Sequence, residues 1–286
     1  MKKVAIIVDS SCGLTKSQVE KLGWFFIPIH IEIDGKLYDD GIDINSSNLF
    51  DIFGPESQRA KTSSTKLGLV AELLDKLKDE YESIVIYPIS MHLSGQYQAL
   101  KVLEKDYPML KIVQSVNISQ LIIYELLEFE KKLSEGQDFD VLFKKLEESK
   151  NQSISLVPKY NDFLVKGGRL SPAAATLAKL FKIVPIIKFE DGKLLKEGKG
   201  RTFLKTFYNV LQGKYDELKN KNVSEFEIVL LHSKNSEIDA IVEETTRIFN
   251  QTPKVLNIPS AVSIHTGPEA CVAIVLPYKL TSLDKI

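Results

Sequence analysis

Three short runs of hydroxyl residues stand where a strand could hand over to a helix: Ser10-Ser11, Thr62-Ser63-Ser64-Thr65, and Ser90 to Ser94. The last follows a β-branched run, Ile84 to Ile89, long enough for one buried strand, and Tyr97, Leu100 and Leu103 follow Ser94-Gly95 at helical spacing. Ser94 is placed to cap that helix. A strand that passes through small residues into a helix leaves unpaired backbone N–H groups, and these, with the positive end of the helix, favour an anion. An ordinary capped helix satisfies the same pattern, and serine and threonine are common turn formers, so one run alone says little. Three at one end of a sheet describe a polar, nearly uncharged pocket that suits a carboxylate better than a triphosphate. No loop matches Gly-x-x-x-x-Gly-Lys-Ser/Thr or Gly-x-Gly-x-x-Gly.

The cations add a second signal. Of 37 basic residues only four are arginine, and two of those follow glycine, in Gly167-Gly168-Arg169 and Gly198-Lys199-Gly200-Arg201. The guanidinium fork suits bidentate anion contacts, although a surface salt bridge uses the same residue. His265 lies in Ser263-Ile-His-Thr-Gly-Pro268, which reads as a glycine-proline loop; His30, His92 and His232 read as ordinary strand or turn residues.

The elements that must position these groups follow from pattern. Val4 to Val8 is an apolar strand, and Thr15 with Gln18 forms a capping box for a helix that stops at Gly23. Trp24 to Ile33, before Asp34-Gly35, is the first arm of a hairpin. Asn45-Ser46-Ser47 opens a short helix that ends near Gly54-Pro55. Leu67, Val70, Leu73, Leu74, Leu77 and Tyr81 mark one buried helix face. Lys111 to Val116 is a strand, Ser119 to Leu133 a helix stopped at Gly136, and Asp138 caps another helix. This alternation argues for a parallel sheet with helices on its faces, with ligands beyond the carboxyl ends of the strands.

A domain boundary is expected at Asn151-Gln152, dividing the chain into 1–152 and 153–286. Beyond it come the strand Ile154 to Val157, a short helix from Tyr160 closed by Gly167-Gly168, and a helix begun by Ser171-Pro172. A hairpin turns at Asp191-Gly192, and the helix Phe203 to Leu218 follows. The strands Phe226 to Leu231, Lys254 to Ile258 and Cys271 to Leu276 complete a second α/β domain with antiparallel pairing.

The 286 residues carry a net charge of −1 with no block of one sign, which gives no sign of a nucleic-acid partner. No apolar run approaches a membrane span, and the first residues, Met1 to Asp9, do not read as a signal peptide. The two cysteines, Cys12 and Cys271, lack metal-ligand spacing and read as structural thiols of a reduced, cytoplasmic protein.

Taken together, Asp9-Ser10-Ser11-Cys12-Gly13-Leu14, Lys61-Thr62-Ser63, Leu93-Ser94-Gly95-Gln96-Tyr97-Gln98, Lys166-Gly167-Gly168-Arg169-Leu170-Ser171, Gly200-Arg201-Thr202 and His265-Thr266-Gly267-Pro268 resemble the DegV family of bacterial fatty-acid-binding proteins. The resemblance implies a two-domain α/β fold, an N-terminal parallel sheet with helices on both faces and a C-terminal mixed sheet, that buries one long acyl chain between the domains. It implies carboxylate binding at Thr62, Ser63, Ser94 and Gly95, and head-group or partner engagement at Arg169, Arg201, His265 and Thr266. It implies no catalysis of its own and no cofactor. It implies that the bound long-chain fatty acid is presented to a separate ATP-dependent kinase that makes the acyl phosphate, and the free protein is expected to be a monomer. The chain departs from the family pattern at Met91-His92, at Thr65-Lys66, where proline is common, and at Gly200, where a β-branched residue is more usual. The rival reading is a serine-dependent acyl hydrolase using Ser94 and His265, although Gly-x-Ser-x-Gly is missing.

Overall fold

The structure, a computed structural model, describes residues 3–54, 56–149, 152–178 and 183–279. Asn151, at the expected boundary, Pro55, the first two residues and the tail from 280 lie outside them. The described chain forms two compact units: one holds residues up to Ser149 together with Pro259–Ala261, and the other holds the stretches to Ile258 and from Val262.

In the first unit, β1 (Val4–Asp9), β2 (Phe25–Ile27), β6 (Ser83–Tyr87) and β7 (Leu110–Ile112) make a four-stranded sheet in the order β2-β1-β6-β7, parallel throughout. Side chains alternate across a strand, so each strand feeds two cores. Ala5, Ile7, Ile84 and Ile86 pack with Val70, Leu74 and Leu77 of α3 (Leu67–Leu77) and with Tyr97 and Leu100 of α4 (Gln96–Lys101). Ile6, Val8, Val85 and Tyr87 pack with Ile122, Ile123 and Leu126 of α5 (Gln120–Ser134) and with Leu142 and Leu146 of α6 (Phe139–Leu146). Helices therefore cover both faces, which is why these strands are apolar throughout and not alternating.

Two further elements precede α3. The short helix α1 (Lys16–Lys21) has the capping box of Thr15 and Gln18, and α2 (Leu49–Ile52) starts after Asn48, three residues later than Asn45 suggests. The hairpin at Asp34-Gly35 forms, but its first arm is split. Phe25–Ile27 joins the parallel sheet, the chain breaks at Pro28-Ile29, and only β3 (His30–Ile33) pairs with β4 (Lys36–Asp39). Proline lacks the N–H that a continuous ladder needs. A third strand, β5 (Ala60–Ser63), pairs antiparallel with β3 to complete a small three-stranded sheet. Lys61, Thr62 and Ser63 thus stand on a strand, and not in a loop at the end of the parallel sheet. The strand expected at Lys111 to Val116 ends at Ile112.

The second unit is built on a six-stranded mixed sheet in the order β10-β9-β8-β13-β11-β12. Its strands are β8 (Ser153–Val157), β9 (Val184–Glu190), β10 (Lys193–Gly200), β11 (Glu227–His232), β12 (Lys254–Asn257) and β13 (Cys271–Leu276). All neighbouring pairs are antiparallel except β11 with β12. The β9–β10 hairpin turns at Asp191 and Gly192, both at positive φ, the pattern of a two-residue turn. One face packs Phe207, Leu211 and Leu218 of α9 (Phe203–Asn220) and Ile241, Ile248 and Phe249 of α10 (Ile238–Phe249) against Val157, Ile228, Leu230 and Ala273. Shorter helices, α7 (Asn161–Gly167), α8 (Pro172–Ala178) and α11 (Ser260–Thr266), carry the loops discussed below. Helix α11 begins among first-unit residues and continues in the second.

Candidate functional site

The two hydroxyl segments of the first unit are fastened to each other by side chains. Gln96, fully buried at the start of α4, accepts from the Thr65 backbone N–H through Oε1 (3.0 Å) and donates from Nε2 to Thr65 Oγ1 (2.7 Å). Thr65 Oγ1 donates in turn to the Pro28 carbonyl (2.7 Å). This clasp joins the segment after Thr62-Ser63 to the segment after Ser94-Gly95. Threonine at 65 therefore has a structural reason that proline, with no N–H and no hydroxyl, could not supply. Thr62 and Ser94 are half-buried, and Ser63 and Gly95 are exposed.

The other partners of these loops are also protein groups. Ser94 Oγ accepts from the Gln96 N–H (3.2 Å), two residues on, while Gly95 takes the cap position that the sequence offers to Ser94. Ser90 is fully buried; its N–H donates to the Asn117 carbonyl (2.8 Å) and its hydroxyl accepts from the His92 N–H (3.2 Å). Beside Ser63, His30 is buried with Nδ1 at 2.7 Å from Asp39 Oδ1, and its Nε2 accepts from the Lys66 N–H (3.3 Å).

Ser10 and Ser11 do lie at the end of β1, but both are buried and turned inward. Asp9 accepts from the Ser11 N–H (3.1 Å), the Ser11 hydroxyl and the Ile89 N–H (2.9 Å). Asp40 accepts from the hydroxyls of Ser260 and Ser10 and from the Ala261 N–H (3.3 Å). The first run of hydroxyls thus serves two buried acids. Burial pushes Asp9 up to about 6, against the lowering effect of its donors. Burial pushes Asp40 up to about 7, and the neighbouring Asp9 charge adds to the rise. Ala261 packs with Ile29, Ile89, Leu93 and Ile118 just before Ser94.

In the second unit, Arg169 follows Gly168, which ends α7 in the left-handed conformation, and Leu170 bridges to Leu194 of β10. Arg201 is exposed directly after β10. Gly200 before it is sterically required, since a Cβ there would sit 1.8 Å from Thr206 Oγ1. The buried Thr206 side chain fills the space that a β-branched residue would need, and its hydroxyl donates to the Thr202 carbonyl (2.6 Å).

His265 stands in the last turn of α11 and not in a loop, which runs only from Gly267 to Ala270. Gly267 has φ 80°, and a Cβ there would meet the Phe163 ring of α7 at 2.6 Å. The His265 pKa is lowered to about 4 by burial and then by the Arg169 cation, so the imidazole is neutral at pH 7. Next to it, the Thr266 hydroxyl is buried with no hydrogen-bond partner among the described residues. A stranded buried hydroxyl costs about 1–3 kcal/mol, which a ligand or an ordered water offsets. No group of three or more His, Cys, Asp or Glu residues among those described could hold a metal, and no helix among them is long and apolar enough to cross a membrane.

The sequence names Thr62, Ser63, Ser94 and Gly95 in the first unit and Arg169, Arg201, His265 and Thr266 in the second. It does not name Thr65, Gln96, His30 or Asp40. The position of Gln96 directly after Ser94-Gly95 is the one signal that pointed near the clasp.

Comparison with known proteins agrees over nearly the whole chain. A DegV-domain-containing protein of Mycoplasmopsis pulmonis is 45% identical over 93% of this chain and 92% of its own length. A fatty acid binding DegV family protein from Streptococcus agalactiae superposes with a TM-score of 0.83 at 24% identity, covering 98% of this chain and all of that one (100%). A stearic-acid-binding protein from Eubacterium ventriosum gives 0.82 at 23% identity, over 97% of this chain and 99% of that one. At such identities these structures establish the shared fold. The family model described as "Uncharacterised protein, DegV family" matches residues 3–278, and the chain belongs to the DegV family.

Proposed function

We propose that this chain binds a long-chain fatty acid, holds its carboxylate with Thr62, Ser63, Ser94 and Gly95 of the first unit, and presents it to a separate ATP-dependent kinase for acyl-phosphate formation. The observation that carries the reading is the Thr65–Gln96 clasp, which fastens the two hydroxyl segments together without a charged residue. Neutral donors suit a carboxylate. They offset the desolvation that otherwise favours the neutral acid. The acyl chain supplies the affinity: burying each methylene gives roughly 0.8 kcal/mol, on the order of 10 kcal/mol gross for a chain of about 16 carbons.

Arg169, Arg201, His265 and Thr266 belong to the later step, when negative charge builds on the phosphoryl group during transfer. The protein itself acts as a carrier and not as a catalyst. A hydrolase would need His265 to gain a proton, and the neighbouring Arg169 cation opposes that.

Mass spectrometry of organic extracts from the purified protein tests the reading. A long-chain fatty acid is expected at about one per chain, and Thr62→Ala or Ser94→Ala is expected to weaken uptake about tenfold or more, the loss of one hydrogen bond to a charged group. No lipid in the extract, and none taken up afterwards, sinks the proposal. Ester hydrolysis that vanishes in Ser94→Ala and His265→Ala would replace it with the hydrolase.

A further inference from the structure

His30 is buried on β3, directly opposite Asp39 on one side and Ser63 on the other. Its two ring nitrogens have different partners. Nδ1 lies 2.7 Å from Asp39 Oδ1, a carboxylate oxygen that only accepts, so Nδ1 carries the proton. Nε2 then holds a lone pair, and it receives the Lys66 backbone N–H at 3.3 Å. Lys66 closes the turn that starts after Ser63 and contains Thr65, the other member of the Gln96 clasp. The imidazole is therefore a further fastening of the same turn.

We propose that His30 is a positioning residue of the Thr62–Ser63 site: Asp39 fixes its tautomer, its Nε2 holds the Lys66 amide, and a second proton on the ring releases the turn. This rests on the fatty-acid reading only for its consequence at the ligand. Protonated Nε2 becomes a donor that faces another donor, and the bond to Lys66 is lost. The charged groups near the ring are Asp39, the Glu32–Lys61 ion pair (3.1 Å) on the same paired strands, and Lys66 itself. Asp43 accepts from the Asp39 N–H (2.9 Å) and adds a second carboxylate nearby. Acid thus loosens the turn that follows Thr62-Ser63 without changing either hydroxyl.

The experiment uses the full chain, as wild type, His30→Gln and His30→Ala. Glutamine keeps a side-chain acceptor and donor but does not titrate. Ring nitrogen-15 shifts report the tautomer and the titration of His30. Lys66 amide protection, corrected for intrinsic exchange, is measured lipid-free across that titration, and a fluorescent long-chain fatty acid is titrated under the same conditions. In wild type, amide protection should drop tenfold or more as the ring takes its second proton, and lipid affinity should fall with the same midpoint. In His30→Gln both should stay flat, and in His30→Ala both should be poor at every pH. Protection that is pH-independent in wild type, or an Nε2–H tautomer, overturns the proposal; because both are read on wild type, a variant that does not fold leaves the decision intact. Protection that follows the ring in protein that takes up no lipid keeps His30 as the anchor of the turn and overturns the fatty-acid reading instead.

Discussion

The two sets of proposed site residues, one in each unit, are built by opposite rules. Around Thr62 and Ser94 the loops are fixed by buried side chains: Gln96 and Thr65 exchange two hydrogen bonds, and His30 takes the Lys66 amide. In the second unit Arg201 is exposed, and the Thr266 hydroxyl has no protein partner among the described residues. A carboxylate that stays bound for long periods needs preorganised donors, because ordering them at each encounter costs affinity. A group that meets a partner only during transfer needs to be accessible. The contrast teaches where rigidity is concentrated, and substitutions in each set should separate the two demands.

The largest effect is expected at the clasp. Gln96→Leu keeps the volume roughly but strands the Thr65 amide and takes one donor from the Thr65 hydroxyl, which keeps its bond to the Pro28 carbonyl, so unfolding in urea should show a loss of about 3 kcal/mol, with lipid affinity falling as well. Unchanged stability would mean that the clasp does not hold the loops, and the contrast would collapse.

In the second unit, Gly200→Val drives side-chain atoms into Thr206 and should cost about 2 kcal/mol by thermal unfolding. The double variant with Thr206→Ala should recover part of that. Full tolerance of valine in the Thr206 background would show that the second unit yields where the first does not.

Asp40 gives a pH-dependent test of the first unit. Its folded pKa of about 7 lies above the usual carboxylate value, so the native state binds the proton more tightly than the unfolded chain does. Stability is therefore favoured below about pH 4, declines as pH rises to 7, and stays at the lower level above it. Asp40→Asn retains an acceptor oxygen for Ser260 and Ala261 but cannot ionise. Its melting temperature should exceed wild type at pH 8, by an amount worth about 1 kcal/mol or more, and match it near pH 4. An equal difference at both pH values would show that ionisation of Asp40 is not what matters.

The smallest change is expected for Arg201→Ala. An exposed side chain of this kind shifts stability by less than about 0.5 kcal/mol, and fatty-acid uptake should stay near wild type while acyl-phosphate yield with a partner kinase falls. Lost lipid binding in this variant would place Arg201 in the carboxylate site and erase the division.

Much of the fold is legible because its signals are local. The Thr15–Gln18 box, the Asp138 cap on Val141 N–H and the Ser171-Pro172 start all form where the sequence puts them, since each needs only neighbours within one turn. The strand at Lys61–Ser63 is hidden because it has no apolar alternation; it exists through pairing with His30–Ile33, a partner about 30 residues away in the chain. Pairing across that distance also conceals His30, whose ring gains its meaning from Asp39 and Lys66. Helix α11 misreads as a loop because Gly267-Pro268 signals a turn two residues after His265, and the turn simply starts later. The proposed site residues stand in motifs, whereas the groups that fasten the segments beside Thr62 and Ser94 are ordinary glutamine, threonine and histidine side chains.

The allocation of Pro259–Ala261 to the first unit has a consequence for how this protein could be taken apart. A fragment ending at Ser149 would lose two of the donors to Asp40, the Ser260 hydroxyl and the Ala261 amide, leaving a buried acid short of partners. It would also lose Ala261 from the apolar cluster beneath Leu93. Neither unit is therefore a portable module that can be cut at a single point. Recombination that exchanges one unit between relatives must carry the distant tripeptide with it, or replace Asp40 at the same time.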